Sequence, residues 1–83
     1  MTTRHIKIFS CTPCIWCDRV KALLTQHGFS YESEDITDDE TTWERLSREN
    51  NGWRTVPMVF IDGVFIGGFP ETQAWIKQNT SQH

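Results

Sequence analysis

Between Arg4 and Ser10 the chain alternates, Ile6 and Ile8 apolar with Lys7 between them, and this period of two predicts a strand over residues 4–9 that runs into a loop at Ser10. The period then changes. From Ile15 onward Val20, Leu23 and Leu24 fall on one helical face and Gly28 supplies a stop, so a first helix is expected to span 15–27. Residues 29–35 alternate weakly around Tyr31 and end in Ile36, a second short strand, and the helix between the two strands makes the pair parallel. Thr37-Asp38-Asp39-Glu40 reads as a capping box, with Thr37 at the N-cap and Glu40 three residues on, opening a second helix that runs to Asn50. Its apolar face is thin, mainly Trp43 and Leu46. Asn51-Gly52 breaks that helix, and Thr55-Val56-Pro57 leads into Met58-Val59-Phe60-Ile61, whose continuous apolar character predicts a buried strand. Asp62-Gly63 is a two-residue hairpin signal that returns the chain through Val64-Phe65-Ile66 as an antiparallel partner. After Gly67-Gly68 a third helix is expected over 70–79, with Pro70 in its first turn and Trp75 and Ile76 toward the sheet. The predicted order is β-α-β-α-β-β-α, an α/β class with a four-stranded mixed sheet flanked by helices.

Length and charge restrict what such a sheet can serve. Residues 1–83 are expected to form one domain, small in core but above the size at which disulfides or metals are usually needed. A formal charge of −3 without a Lys/Arg cluster argues against nucleic acid or an anionic membrane as the main partner. No apolar run reaches the ~18 residues of a membrane span, and residues 1–5 lead into no signal-peptide apolar region, so a cytoplasmic monomer is expected.

The chemistry is concentrated in Cys11-Thr12-Pro13-Cys14-Ile15-Trp16-Cys17, between the first strand and the first helix. Bridges among three cysteines so close together would staple nothing distant, and in a reducing compartment the cluster reads as redox or metal chemistry. Zinc wants four ligands, and iron–sulfur ligation at this spacing lacks its fourth cysteine, so no metal is expected. If Ile15 begins the helix, Cys14 sits at its N-terminal edge, where unpaired backbone N–H groups and the positive end of the macrodipole stabilise an anion. A free thiol with a pKa near ~8.5 is only slightly ionised at neutral pH, whereas C-x-x-C thiols at helix N-termini fall to roughly 3.5–7.5. Cys14 is then the thiolate. Cys17, one turn further in on the same face, can attack a mixed disulfide formed at Cys14 and release the partner. Cys11 is read as having no catalytic duty, Trp43 and Trp75 as core residues, and Trp16 as exposed beside the nucleophile. His5, His27 and His83 have no evident triad partner.

Across nearly its whole length the chain resembles a dithiol glutaredoxin, because Cys14-Ile15-Trp16-Cys17, Arg54-Thr55-Val56-Pro57 and Phe65-Ile66-Gly67-Gly68-Phe69 occur in order with that family's spacing. The resemblance implies a thioredoxin-like (glutaredoxin) fold, Cys14 as nucleophile with Cys17 resolving, and Pro57 cis and facing the disulfide. It implies that Thr55 and Val56 present main-chain groups to the cysteinyl part of glutathione and that Trp16 covers the site. Gly68, Phe69, Pro70 and Glu71 would hold the γ-glutamyl end, and an anion at a helix N-terminus has a physical basis of its own. The ending Gly-Gly-Phe-Pro-Glu-Thr-Gln-Ala-Trp-Ile-Lys is similar to small bacterial and phage glutaredoxins that reduce ribonucleotide reductase.

The activity implied by the resemblance is that of a glutathione-dependent thiol–disulfide oxidoreductase, with glutathione as co-substrate and protein disulfides, such as one in ribonucleotide reductase, and glutathione mixed disulfides as substrates. Two alternatives stay open, a redoxin of the same fold recharged by thioredoxin reductase, and a carrier in which two chains and two glutathiones hold a [2Fe–2S] cluster through Cys14. The chain also departs from the family pattern. Ile15 and Trp16 replace the proline and tyrosine of Cys-Pro-Tyr-Cys, and Cys11 stands where many members carry a basic residue for the glycyl carboxylate. Arg54, Arg45 or Arg48 are the candidates to substitute for it. Pro70 removes one backbone N–H from the γ-glutamyl site.

Overall fold

Backbone pairing in the computed structural model, which describes residues 4–80, follows the hydrophobic pattern closely. The elements are β1 (Ile6–Ser10), α1 (Ile15–Gln26), β2 (Glu32–Asp35), α2 (Glu40–Glu49), β3 (Met58–Ile61), β4 (Val64–Gly67) and α3 (Phe69–Thr80). The sheet order is β2-β1-β3-β4, with β1 parallel to β2 and antiparallel to β3, and with β3 and β4 forming a hairpin. The expected β-α-β-α-β-β-α order and four-stranded mixed sheet are both present. Asp62 and Gly63 both take positive φ, 52° and 83°, the left-handed pair that a two-residue hairpin of matching twist requires.

Alternation along the strands gives the sheet two different faces. Ile6, Ile8, Val59 and Ile61 point to one side and join Val20 and Leu24 of α1 and Ile76 of α3 in a single buried cluster. Met58 points the other way and meets Leu46 of α2 and Ile36, with Phe9, Trp43, Phe60 and Phe65 packed around them. The thin apolar face of α2 is thus sufficient, since it covers only the smaller cluster, and the Trp43 indole fastens it by donating to the Ile36 carbonyl at 2.8 Å. Trp75 lies against Phe29 with ring centroids 5.4 Å apart, so Trp43 and Trp75 are both packing residues.

Two local expectations give way to the structure. The second strand is shorter than the alternation suggests, and all four residues of β2 are exposed, because β2 is a sheet edge and its acidic side chains face water. The apolar residues around it pack outside the strand, Phe29 and Tyr31 before it and Ile36 after it. The second correction concerns the cap of α2. Asp39, not Thr37, is the N-cap, accepting the Thr42 N–H at 3.1 Å and the Thr42 hydroxyl at 2.7 Å. Thr37 is engaged elsewhere, with Asp35 and Thr12.

Because Ile8 is fully buried between helices and sheet, Ile8→Ala is expected to lower stability by about 2–5 kcal/mol, whereas Ile15→Ala, at a residue 61% exposed, is expected to change it by less than about 0.5 kcal/mol. Urea unfolding followed by circular dichroism measures both.

Candidate active site

The first turn of α1 is built on Cys14. Its backbone is extended, it is the N-cap residue, and its Sγ accepts the Cys17 N–H at 3.1 Å, while its carbonyl accepts the Asp18 N–H at 3.2 Å. Cys14 is joined to Cys17 in a disulfide, with Cα atoms 5.3 Å apart. The two sulfurs differ in access, since Cys17 is 1% exposed and Cys14 half-buried. The Cys14 side of the pair is therefore the more accessible one. The two residues between them are the more exposed part of the helix start, Ile15 at 61% and Trp16 at 48%.

A groove of about 500 Å³ has Trp16, the residue before Cys17, as one wall and is lined also by Trp53, Thr55, Val56, Pro57, Gly68, Phe69, Pro70 and Glu71. It brings together every side chain or turn that the sequence singled out as glutathione-binding, from three separate stretches of chain. The Val56–Pro57 peptide is cis, as expected. Trp16 meets Phe69 with ring centroids 5.4 Å apart, so α1 and α3 share one aromatic wall, and the Arg19 guanidinium covers the outer side of Trp16 at 4.7 Å from its centroid. Gly67 has φ 131°, and a Cβ there would stand 2.7 Å from Glu71 Cγ, so only glycine lets Glu71 fold back. Folded back, Glu71 Oε1 accepts the Gly68 N–H at 2.9 Å and caps α3.

Trp53 belongs to none of the motifs evident in the sequence. Its indole donates to the Thr55 carbonyl at 2.9 Å and its ring meets Phe65 at 5.2 Å, which ties the Thr55-Val56-Pro57 segment to a ring that itself lines the groove. An aromatic residue directly after the Asn51-Gly52 break and before Arg54-Thr55-Val56-Pro57 was the available signal. The expected substitutes for a basic residue do not line the groove. Arg45 pairs with Glu49 at 3.7 Å, and Arg48 and Arg54 line a separate polar depression of about 340 Å³ with Glu44, Ser47 and Gly52. Cys11 is half-buried and free, its Sγ donating to the Pro13 carbonyl at 3.6 Å. His5 pairs with Glu32 at 3.0 Å, away from the cysteines in sequence and sheet position, and His83 lies outside the described residues.

Upstream of Cys14 the loop is tied to the end of β2. Thr12 donates its N–H to Thr37 Oγ1 at 2.8 Å and its hydroxyl to Asp35 Oδ2, and Thr37 donates both its N–H, at 2.8 Å, and its hydroxyl to Asp35 Oδ1. These bonds to the ionised form, first those from the Thr12 and Thr37 hydroxyls and then the Thr37 N–H, lower the Asp35 carboxyl from 3.8 to about 2.

A thioredoxin-like sheet with a dithiol pair at the N-terminus of its first helix defines the class of thiol–disulfide redoxins. Within that class, the family model described as glutaredoxin matches residues 6–66, and the chain belongs to the glutaredoxin family. Glutaredoxin 3 of Escherichia coli K12 is 33% identical over 70 residues, covering 84% of this chain and 83% of that protein. The chloroplastic glutaredoxin-C4 of rice is 39% identical over 74 residues, which cover 87% of this chain but 56% of the rice protein, so the chain spans little more than half of that relative. Among solved structures, a buckwheat glutaredoxin–glutathione complex superposes with a TM-score of 0.79 at 33% identity, covering 90% of this chain and 68% of that one.

The depressed Asp35 pKa fixes the sign of an acid-side effect. A carboxyl whose folded pKa lies below its unfolded value contributes stability that is complete above the unfolded value and is lost as pH falls through the folded one. The Thr12 and Thr37 amide resonances are therefore expected to hold their positions down to pH 3.8 and to move with a midpoint of about 2, and in Asp35→Asn that transition should vanish. A midpoint at 3.8 would mean that the carboxylate is not held by these bonds in solution.

Proposed function

We propose that the chain is a glutathione-dependent thiol–disulfide oxidoreductase that reduces protein disulfides and glutathione mixed disulfides. The observation that carries this reading is the groove, in which Thr55, Val56 and Pro57 and the Gly68 turn with the start of α3 share a lining with Trp16, the residue between the two cysteines of a dithiol whose outer sulfur caps a helix. The buckwheat relative solved with glutathione supports the choice of that tripeptide as co-substrate.

In the reduced protein the Cys14 thiolate attacks one sulfur of the substrate disulfide, that S–S bond breaks, and the departing thiolate takes up a proton. Cys14 is left in a mixed disulfide. Cys17, deprotonated, attacks the Cys14 sulfur; the second substrate thiol leaves and the Cys14–Cys17 disulfide forms. One glutathione thiolate then opens that disulfide at Cys14, a second attacks the glutathione sulfur, and oxidised glutathione departs. The sum is one substrate disulfide and two glutathiones converted to a dithiol and glutathione disulfide.

In the groove the cysteinyl part of glutathione lies along Thr55 and Val56, Trp16 covers the sulfur, and the γ-glutamyl end meets the first turn of α3 from Gly68 to Glu71. Ribonucleotide reductase is the protein substrate to test first. Its disulfide leaves a bulky mixed disulfide that an internal thiol resolves at high effective concentration, whereas a glutathione adduct can be cleared by a second glutathione.

Purified protein, once oxidised, should be recharged by glutathione with glutathione reductase; recharging by thioredoxin reductase alone would favour the rival electron source. Cys17→Ser should keep removal of glutathione from mixed disulfides and lose reduction of a protein disulfide, while Cys14→Ser loses both; the reverse pattern would overturn the assignment. Titration with glutathione should move amide resonances at Thr55, Val56, Gly68, Phe69 and Glu71, and shifts confined to α2 would sink the binding map.

A further inference from the structure

We infer that Asp35 is a positioning residue for the nucleophile, its carboxylate fixing through Thr12 and Thr37 the loop that presents Cys14. The inference rests on the reading of Cys14 as the attacking thiol. Cys14 is bracketed on two sides. Downstream it is held by the helix, through the Cys17 and Asp18 N–H groups. Upstream, β1 ends at the buried Ser10, whose carbonyl accepts the Ile36 N–H at 2.8 Å, and the chain must cross Cys11, Thr12 and Pro13 before it reaches the thiol.

Those three residues are exposed or half-buried and lie outside any strand or helix, so packing does little to hold them. Pro13 has no N–H to give and a ring-fixed φ. The Cys11 thiol makes one long contact within the same loop, at 3.6 Å to the Pro13 carbonyl, which ties the loop to itself and not to the sheet. Thr12 is different. Both of its donors leave the loop for residues of one distant segment, the N–H for Thr37 Oγ1 at 2.8 Å and the hydroxyl for Asp35 Oδ2, across 25 and 23 positions of sequence. Thr37 in turn gives both of its donors to Asp35 Oδ1, so the single carboxylate accepts three bonds and orients both threonines. Bonds to an ionised acceptor are about twice as strong as neutral ones, and the edge strand supplies a fixed base, since Asp35 pairs with Ser10 in the β1–β2 ladder. The anchor therefore sits two residues from the nucleophile, at the one point where the loop has a partner outside itself.

Position and charge predict opposite signs here. Lys21 of α1 is the cation acting on Asp35; a carboxylate near a thiol disfavours the thiolate and a lysine released from it favours the thiolate, so if Asp35 acted through its charge, removing it would lower the Cys14 pKa. If it acts by holding Cys14 over the helix amides, removing it loosens that geometry and raises the Cys14 pKa.

The test is alkylation of the reduced protein by iodoacetamide across pH, with Cys14 followed by peptide mass spectrometry, in wild type, Thr12→Val, Thr12→Ser, Asp35→Asn and the Thr12→Val/Asp35→Asn pair. Thr12→Val and Asp35→Asn are each expected to raise the alkylation midpoint of Cys14 by about one unit, seen as about tenfold slower reaction on the acid side. Thr12→Ser keeps the hydroxyl and should restore the wild-type profile, and the double variant should be no slower than either single one, as expected for groups acting as one unit. An unchanged midpoint in folded Thr12→Val would reduce the cluster to a structural role. A lowered midpoint in Asp35→Asn, or additive effects in the pair, would equally overturn the proposal. Alkylation needs no glutathione, so a wild-type protein that glutathione fails to recharge would refute the function proposed above and leave this test intact.

Discussion

The Cys17 N–H directed at Cys14 Sγ, 3.1 Å away, is the interaction around which the molecule is arranged. The first amides of any helix lack carbonyl partners, and a sulfur placed over them is favoured as an anion by both the hydrogen bond and the dipole. Keeping that terminus in place is largely the work of the core. Val20 and Leu24, both fully buried, clamp α1 to the sheet at four-residue spacing, and β1 delivers the chain to the helix start. Asp18, in the same first turn, is a second negative group competing for the same positive end. It is exposed, so water and salt weaken its influence, whereas the half-buried sulfur has an N–H in direct contact.

Much of this was legible in the residues because period and punctuation agreed. The run Met58 to Ile61, the Asp62-Gly63 turn and the helix opening at Ile15 each have one physical reading, and the structure has them at those positions. The second strand was less legible because an edge strand with both faces wet need not alternate, so its apolar neighbours Tyr31 and Ile36 mark its ends, not its length. The cap of α2 failed for a related reason. Thr37, Asp38 and Asp39 all have capping side chains, and the sequence does not display that Thr37 is already engaged, donating to Asp35 two residues before it and accepting the Thr12 N–H from a loop 25 residues earlier.

The groove shows the same division between local and distant information. Thr55-Val56-Pro57 and Gly67-Gly68 are strings with a conformational meaning that survives without context, and the groove is built from both. Trp53 and the arginines have no such meaning. Whether an arginine reaches a groove or a neighbouring depression depends on where a loop of irregular backbone turns, here at Asn51 and Gly52 with φ of 62° and 80°. Arg48 and Arg54 are gathered by that turn into a polar depression with Glu44, so positive charge is drawn to that depression without lining the groove.

The start of α3 then acquires a particular character. Its terminus offers fewer donors than an ordinary helix end, since Pro70 has no N–H and the Gly68 N–H is already taken by Glu71. The amides of Phe69 and Glu71 remain in the first turn, and the one charged side chain lining the groove is itself acidic. A carboxylate arriving there meets a partial positive charge from the dipole and a full negative charge from Glu71, whereas an ammonium beside that carboxylate would pair with Glu71 directly. The close fold-back of Glu71 over Gly67, which tolerates no Cβ, is what places the acid at this end of the groove. Phe69, the first residue of α3, meets Trp16 with ring centroids 5.4 Å apart, so the same helix start also carries the groove's aromatic contact with α1.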